Sequence, residues 1–128
     1  MEKRNEIRSH RDLLVWQKAM DLYVESCRRT NTFPRHELFG LTSQLRRAAF
    51  SIPANIAEGK GRRRTRAYLS FLDVSYGSLM ELDTAIEAAL RMNYVALKDA
   101  ECLFDRIAEI GRMLNGLISA LERNLEPE

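Results

Sequence analysis

Residues 41–66 read LTSQLRRAAFSIPANIAEGKGRRRTR, a stretch that joins a helical repeat, an internal proline, two glycines and a run of cations. Leu41, Leu45, Ala48, Ile52 and Ile56 recur at steps of three and four, the spacing that lines one face of an α-helix. The repeat continues past Pro53, so this residue removes one hydrogen bond, to Ala49, and bends the rod without ending it. Gly59 and Gly61 read as the end of the helix and the turn toward the next, as C-terminal glycines commonly do.

The same periodicity extends in both directions. Leu13, Trp16, Met20, Tyr23 and Cys27 mark an earlier helix that ends near Thr30. It is followed by a linker, NTFPRHELFG, that holds Pro34 and Gly40. Tyr68, Leu72, Ser75, Leu79, Leu82, Ile86 and Ala89 mark a third helix, and Leu103, Ile107, Ile110, Leu114, Leu117 and Leu121 a fourth. Both alternate steps of four and three, which keeps a heptad-like seam. Short connections around 59–64 and 92–97 force consecutive helices to run antiparallel. The prediction is an all-α fold, an antiparallel up-down four-helix bundle, with residues 1–128 as one domain and 1–11 as a poorly ordered N-terminal segment.

Composition sets the outer bounds. The chain is 45% hydrophobic and 30% charged, ordinary values for a globular domain, and no apolar run approaches the ~20 residues needed to span a bilayer. The N-terminus, MEKRNEIRSHRDL, is charged throughout and lacks the apolar segment of a secretory signal, so a cytoplasmic protein without membrane contact is expected. Cys27 and Cys102 then read as reduced, half-buried helix residues. Through Arg66 there are fifteen Lys and Arg against seven Asp and Glu; from Ala67 onward there are five against eleven. Such a division fits attraction of polyanions by the basic half, and equally fits pairing of the two halves within one bundle or between copies.

No catalytic constellation emerges. His10 and His36 are the only histidines and both precede the second helix, so the Glu-x-x-His pairs of a di-iron bundle are missing. Glu101, Asp105 and Glu109 form a carboxylate row that points away from the fourth seam and reads as a solvated acidic face. The cysteines lack zinc-site spacing, no nucleophile elbow is present, and Gly59-Lys60-Gly61 does not satisfy the phosphate-loop pattern. A non-enzyme with no metal, cofactor or small-molecule substrate is expected.

Two surface features remain. Lys60, Arg62, Arg63, Arg64 and Arg66 crowd a helix–helix corner where the following helix adds free backbone N–H groups, a setting that suits phosphate. Solvation, or pairing with the acidic fourth helix, is the plain alternative. Phe50 falls nearly opposite the core seam, with Ser43, Arg46, Arg47 and Ala54 around it, and Leu69, Tyr76 and Met80 form a second stripe on the third helix. Two such stripes on adjacent helices point to a surface covered by another subunit. Gly77 fits the same picture if a neighbouring backbone passes close.

The strings DLLVWQKAMDLY (12–23), FPRHELFGLTSQLRRAAFSIPANIAEGKGR (33–62) and FLDVSYGSLMELDTAIEAAL (71–90) closely resemble the bacterial four helix bundle proteins, also called 23S rRNA intervening-sequence proteins. The resemblance runs from about Asp12 to the end. It implies an antiparallel bundle assembled as a ring of five, and a related branch accompanies diversity-generating retroelements, where a basic barrel binds RNA and a reverse transcriptase. Asn55, Glu58 and Gly59 match the family string without an implied catalytic role, and Asn55 at the seam's edge suits a hydrogen bond between helices. The pattern around Arg46 and Arg47 also matches, which implies a part in the basic surface. Arg62-Arg63-Arg64 departs from the family's usual corner, which commonly carries serine or a neutral residue. The resulting expectation is a non-enzymatic homo-oligomer, a pentamer, that binds structured RNA or a ribonucleoprotein through Arg46, Arg47, Lys60, Arg62, Arg63, Arg64 and Arg66. The rival is a purely structural assembly that binds no nucleic acid.

Overall fold

Residues 7–125 are described in a computed structural model. Four helices carry the fold: α1 (Leu14–Thr30), α2 (Leu41–Lys60), α3 (Thr65–Arg91) and α4 (Leu97–Arg123), with 3-10 turns at His10–Asp12 and Arg35–Glu37. α2 packs on α1 and α3, and α4 on α3 and α1, so each helix touches its neighbours in the chain and the ring closes as an up-down bundle. Leu22, Ile52, Ile56, Leu72, Leu79, Leu82, Ile86, Ile110 and Leu114 are fully buried along its axis. The seams expected for α2, α3 and α4 are those the structure buries, with Leu41, Leu117 and Leu121 half-covered near helix ends.

α1 differs from its expected phase. Its buried row is Val15, Ala19, Leu22, Ser26 and Thr30, rotated about one residue from Trp16, Met20, Tyr23 and Cys27, which lie on the shoulder half-buried. Small side chains at the centre let α1 approach its neighbours, and the two hydroxyls are tolerated because each bonds its own helix. Ser26 Oγ donates to the Leu22 carbonyl at 2.7 Å and Thr30 Oγ1 to that of Ser26 at 2.9 Å. A pattern search that counts serine and threonine as polar misses this row.

Pro53 is buried inside an unbroken α2. The α2–α3 contact is made close by small residues: Ser75 Oγ donates to the Ile52 carbonyl at 2.9 Å, and the Ser51 and Ser78 hydroxyls meet at 2.7 Å. Gly59 belongs to this contact and not to the turn. It is buried in the last turn of α2, and a Cβ there would come within 2.9 Å of both Phe71 Cβ and Tyr68 Cδ1. Gly61 ends the helix in a right-handed conformation, φ −77°, so neither glycine is needed for a left-handed turn. That geometry falls instead on Asn93, φ 63°, where the Tyr94 N–H reaches back to the Ala89 carbonyl at 2.8 Å and reverses the chain from α3 to α4.

Of two further expectations, the second needs correction. Residues 8–12, largely within the segment expected to be poorly ordered, form a capped turn: Asp12 Oδ2 accepts from the Arg8 and Ser9 N–H groups, and Ser9 Oγ accepts from that of Arg11. Residues 1–6 lie outside the described residues. Cys102 is exposed, not half-buried, because it lies one residue off the Leu103 seam; Cys27 is half-buried as expected.

At the far end of the bundle Glu37 fastens the linker. Its Oε1 accepts from the Leu41 N–H at 3.1 Å at the start of α2, and its Oε2 accepts from the Tyr94 hydroxyl at 2.8 Å, while the Tyr94 ring packs on Phe33. The Leu41 N–H, then the Tyr94 hydroxyl, hold the Glu37 carboxyl below its ordinary value.

Gly59→Ala is expected to destabilise the fold by about 1–3 kcal/mol, since the added methyl forces α2 and α3 apart. Gly116→Ala, in α4 with no atom within 4 Å of its Cβ position, is expected to stabilise by about 0.5–1 kcal/mol through helix propensity. Urea unfolding reads both, and a neutral or stabilising Gly59→Ala contradicts the close contact. Glu37 titrates lower in the fold than in the unfolded chain, so its contribution is present above the unfolded value and is lost as pH falls through the folded one. The stability gap between wild type and Glu37→Gln should therefore be widest at neutral pH and narrow as the pH falls below the ordinary glutamate range. A gap that does not change with pH rules this out.

Candidate nucleic-acid interface

Antiparallel alternation brings the start of α1, the α2–α3 corner and the end of α4 to one end of the bundle. The cation run lies there. Arg62, Arg63, Arg64 and Arg66 are exposed and Lys60 is half-buried. Arg64 precedes α3 in an extended conformation, no side chain caps that helix, and its first turn holds no acid, so backbone N–H groups and the positive end of the dipole face the same region. Lys60, Arg63 and Arg64 make no ion pair or hydrogen bond through their side chains among the described residues. Arg62 does: its Nη2 donates to Glu58 Oε2 at 2.8 Å, and the guanidinium lies 4.7 Å from the centre of the Phe71 ring.

Elsewhere the two charge halves pair within the chain. Lys18 of α1 meets Glu109 of α4 at 3.2 Å, and Arg29 of α1 meets Asp99 of α4 at 3.3 Å. The acidic row of α4 is thus partly answered by α1. Glu101 and Asp105 stay exposed, and no cluster of potential metal ligands occurs among the described residues.

The two α2 arginines part company. Arg46 is half-buried and ties α2 to the end of α1: Nε donates to Thr30 Oγ1 at 2.8 Å and Nη2 to Asn31 Oδ1 at 3.2 Å. Arg47 is exposed, without a partner among the described residues, and borders the shallow groove beside Phe50. Neither is gathered with the corner. Asn55 bonds Ser51 of its own helix, through the carbonyl at 2.8 Å and Oγ at 2.9 Å, and reaches α3 only through the Ser51–Ser78 pair.

Of the apolar stripe residues, Phe50 is 52% and Met80 41% exposed, although the Tyr23 ring stands edge-on to Phe50 at 5.3 Å. Leu69 and Tyr76 are half-covered by their own chain, and Tyr76 packs against the core. No atom lies within 4 Å of the Gly77 Cβ position, which sits in a shallow groove with Leu41, Met80, Ala85 and Ala88. Periodicity missed Phe39, which is 94% exposed in the linker beside a half-exposed Leu38. The one sequence signal was an apolar pair placed outside any helical repeat.

A family model described as 23S rRNA-intervening sequence protein matches residues 11–116. The fold is similar to the crystal structure of a protein with unknown function from the S23 ribosomal protein family of Bacteroides thetaiotaomicron VPI-5482. The TM-score is 0.74 at 20% identity, over 82% of this chain and 98% of that one. No curated protein matches.

Arg46→Gln should destabilise by about 1–2 kcal/mol, the scale of charge-assisted hydrogen bonds, whereas Arg47→Gln should stay within about 0.5 kcal/mol. Thermal unfolding of the two variants compares them directly; an Arg46→Gln as silent as Arg47→Gln would make the tie to α1 incidental.

Proposed function

The chain belongs to the 23S rRNA-intervening sequence protein family, and from that premise we propose that it is a non-enzymatic, self-associating bundle that binds RNA or a ribonucleoprotein through its basic end. One observation supports this reading above the others. Lys18 and Arg29 of α1 are paired with Glu109 and Asp99 of α4, while Lys60, Arg63 and Arg64 stand together at an uncapped helix start with no acid engaged to them among the described residues. Guanidinium forks and free N–H groups in one place suit phosphate oxygens, and each neutralised phosphate adds a salt-dependent, sequence-blind increment of affinity. A reverse transcriptase is the other partner that the family resemblance implies. Arg47 contributes charge away from the corner, and Arg46 acts mainly in holding α1.

Self-association rests on the apolar surface left open. Phe50, Met80 and Phe39 are large, exposed and spread over α2, α3 and the linker, more than scattered single residues need. The reading takes the assembly to be a homo-oligomer, a ring of five.

Anisotropy with a fluorescent structured RNA should show binding at low salt that weakens as salt rises. The Lys60→Gln/Arg63→Gln/Arg64→Gln variant should bind roughly tenfold more weakly or worse. No binding at low salt, or affinity unmoved by the triple change, counts against the proposal. Light scattering should give several times the 14.8 kDa chain mass, five times for the ring, and Phe50→Asp should lower it. A monomeric wild type ends the self-association reading.

A further inference from the structure

The aromatic side chains at the basic end indicate which form of RNA that end can take. Among the described residues there, Tyr68 is buried, while Phe71 and Trp16 are half-buried. Each of the latter two is already occupied. The Arg62 guanidinium lies 4.7 Å from the Phe71 ring centre, held there by its bond to Glu58. The Trp16 ring has the Arg11 guanidinium 5.7 Å from its centre and His10 edge-on at 4.9 Å. These distances are those of cation–π contacts, so one face of each half-buried ring, a face that could stack on an unpaired base, is taken by one of the protein's own cations. Single-stranded RNA is bound by stacking bases on open aromatic platforms as well as by charge, and that part is withheld here.

What stays open is charge alone. Lys60, Arg63 and Arg64 are unpaired among the described residues, and the one acid on the neighbouring turn, Glu58, is neutralised by Arg62. A reader built only from cations favours the partner with the densest phosphates, and a duplex presents two strands of them where a single strand presents one. Resting on the RNA reading above, we infer that the basic end selects base-paired RNA over single strands. Lys60, Arg63 and Arg64 contact phosphates, and Arg62 is a positioning residue that neutralises Glu58 and keeps Phe71 covered.

The test compares a 20-base-pair RNA duplex with an unstructured single strand of equal length, both labelled, over a series of salt concentrations with the full chain. The duplex should bind about tenfold more tightly, with a salt slope near −3 for three phosphate contacts, and Arg63→Gln/Arg64→Gln should make that slope shallower by about two. Arg62→Gln uncovers Phe71 and should narrow the preference by strengthening single-strand binding. A ratio left in place by that variant overturns the role given to Arg62. Equal or tighter binding of the single strand overturns the selectivity while RNA binding itself stands. Failure to bind either RNA removes the RNA reading and this inference with it.

Discussion

The closeness of α2 to α3 is the constraint on which the molecule depends. Gly59 leaves room for Tyr68 and Phe71, and Ser75 and Ser78 bond across to α2 where larger side chains would hold the helices apart. With no Cβ at Gly59, the chain can turn within residues 61–64 and start α3 directly beside the end of α2. The cation run occupies that turn. The packing that closes the core therefore also decides that Lys60, Arg63 and Arg64 are crowded at one point instead of being spread along a helix.

Electrostatics follow from the same topology. In an up-down bundle α1 and α4 are neighbours, so cations of the first helix meet acids of the fourth in Lys18–Glu109 and Arg29–Asp99. Exposed pairs of this kind add little stability, commonly under about 1 kcal/mol each. Their effect is on distribution. They engage Lys18 and Arg29 of α1, whereas Lys60, Arg63 and Arg64 at the α2–α3 corner have no side-chain partner among the described residues. The formal net charge of +2 conceals this arrangement.

Much of the fold was legible in sequence because leucine, isoleucine and alanine repeat at helical spacing along α2, α3 and α4, and those repeats are the buried faces observed. α1 was legible as a helix but not in its phase. Its centre is made of Ala19, Ser26 and Thr30, and a hydroxyl can be buried when it bonds a carbonyl one turn back, something periodicity does not record. The candidate site was legible as a cluster of charges but not as a set of roles. Arg46 and Arg47 are adjacent in sequence, yet the helical step turns one onto the end of α1 and the other to solvent. Phe39 escaped notice because exposure in a linker follows from what packs over it, and none of the described residues does so to any extent.

By itself, the sequence determined the number of helices, their antiparallel order, three of the four buried faces and the position of the cation run at a corner, because each follows from local spacing and short connections. The tertiary structure alone decided which cations are engaged and which stand open. Ion pairs and ring contacts such as Arg29–Asp99 and Arg62–Phe71 join residues that are distant in the chain or separated by a turn. The stretch 41–66 thus contains a helix whose proline is absorbed, a glycine that serves packing, and a run of arginines in which Arg62 is held while Arg63 and Arg64 have no side-chain partner among the described residues.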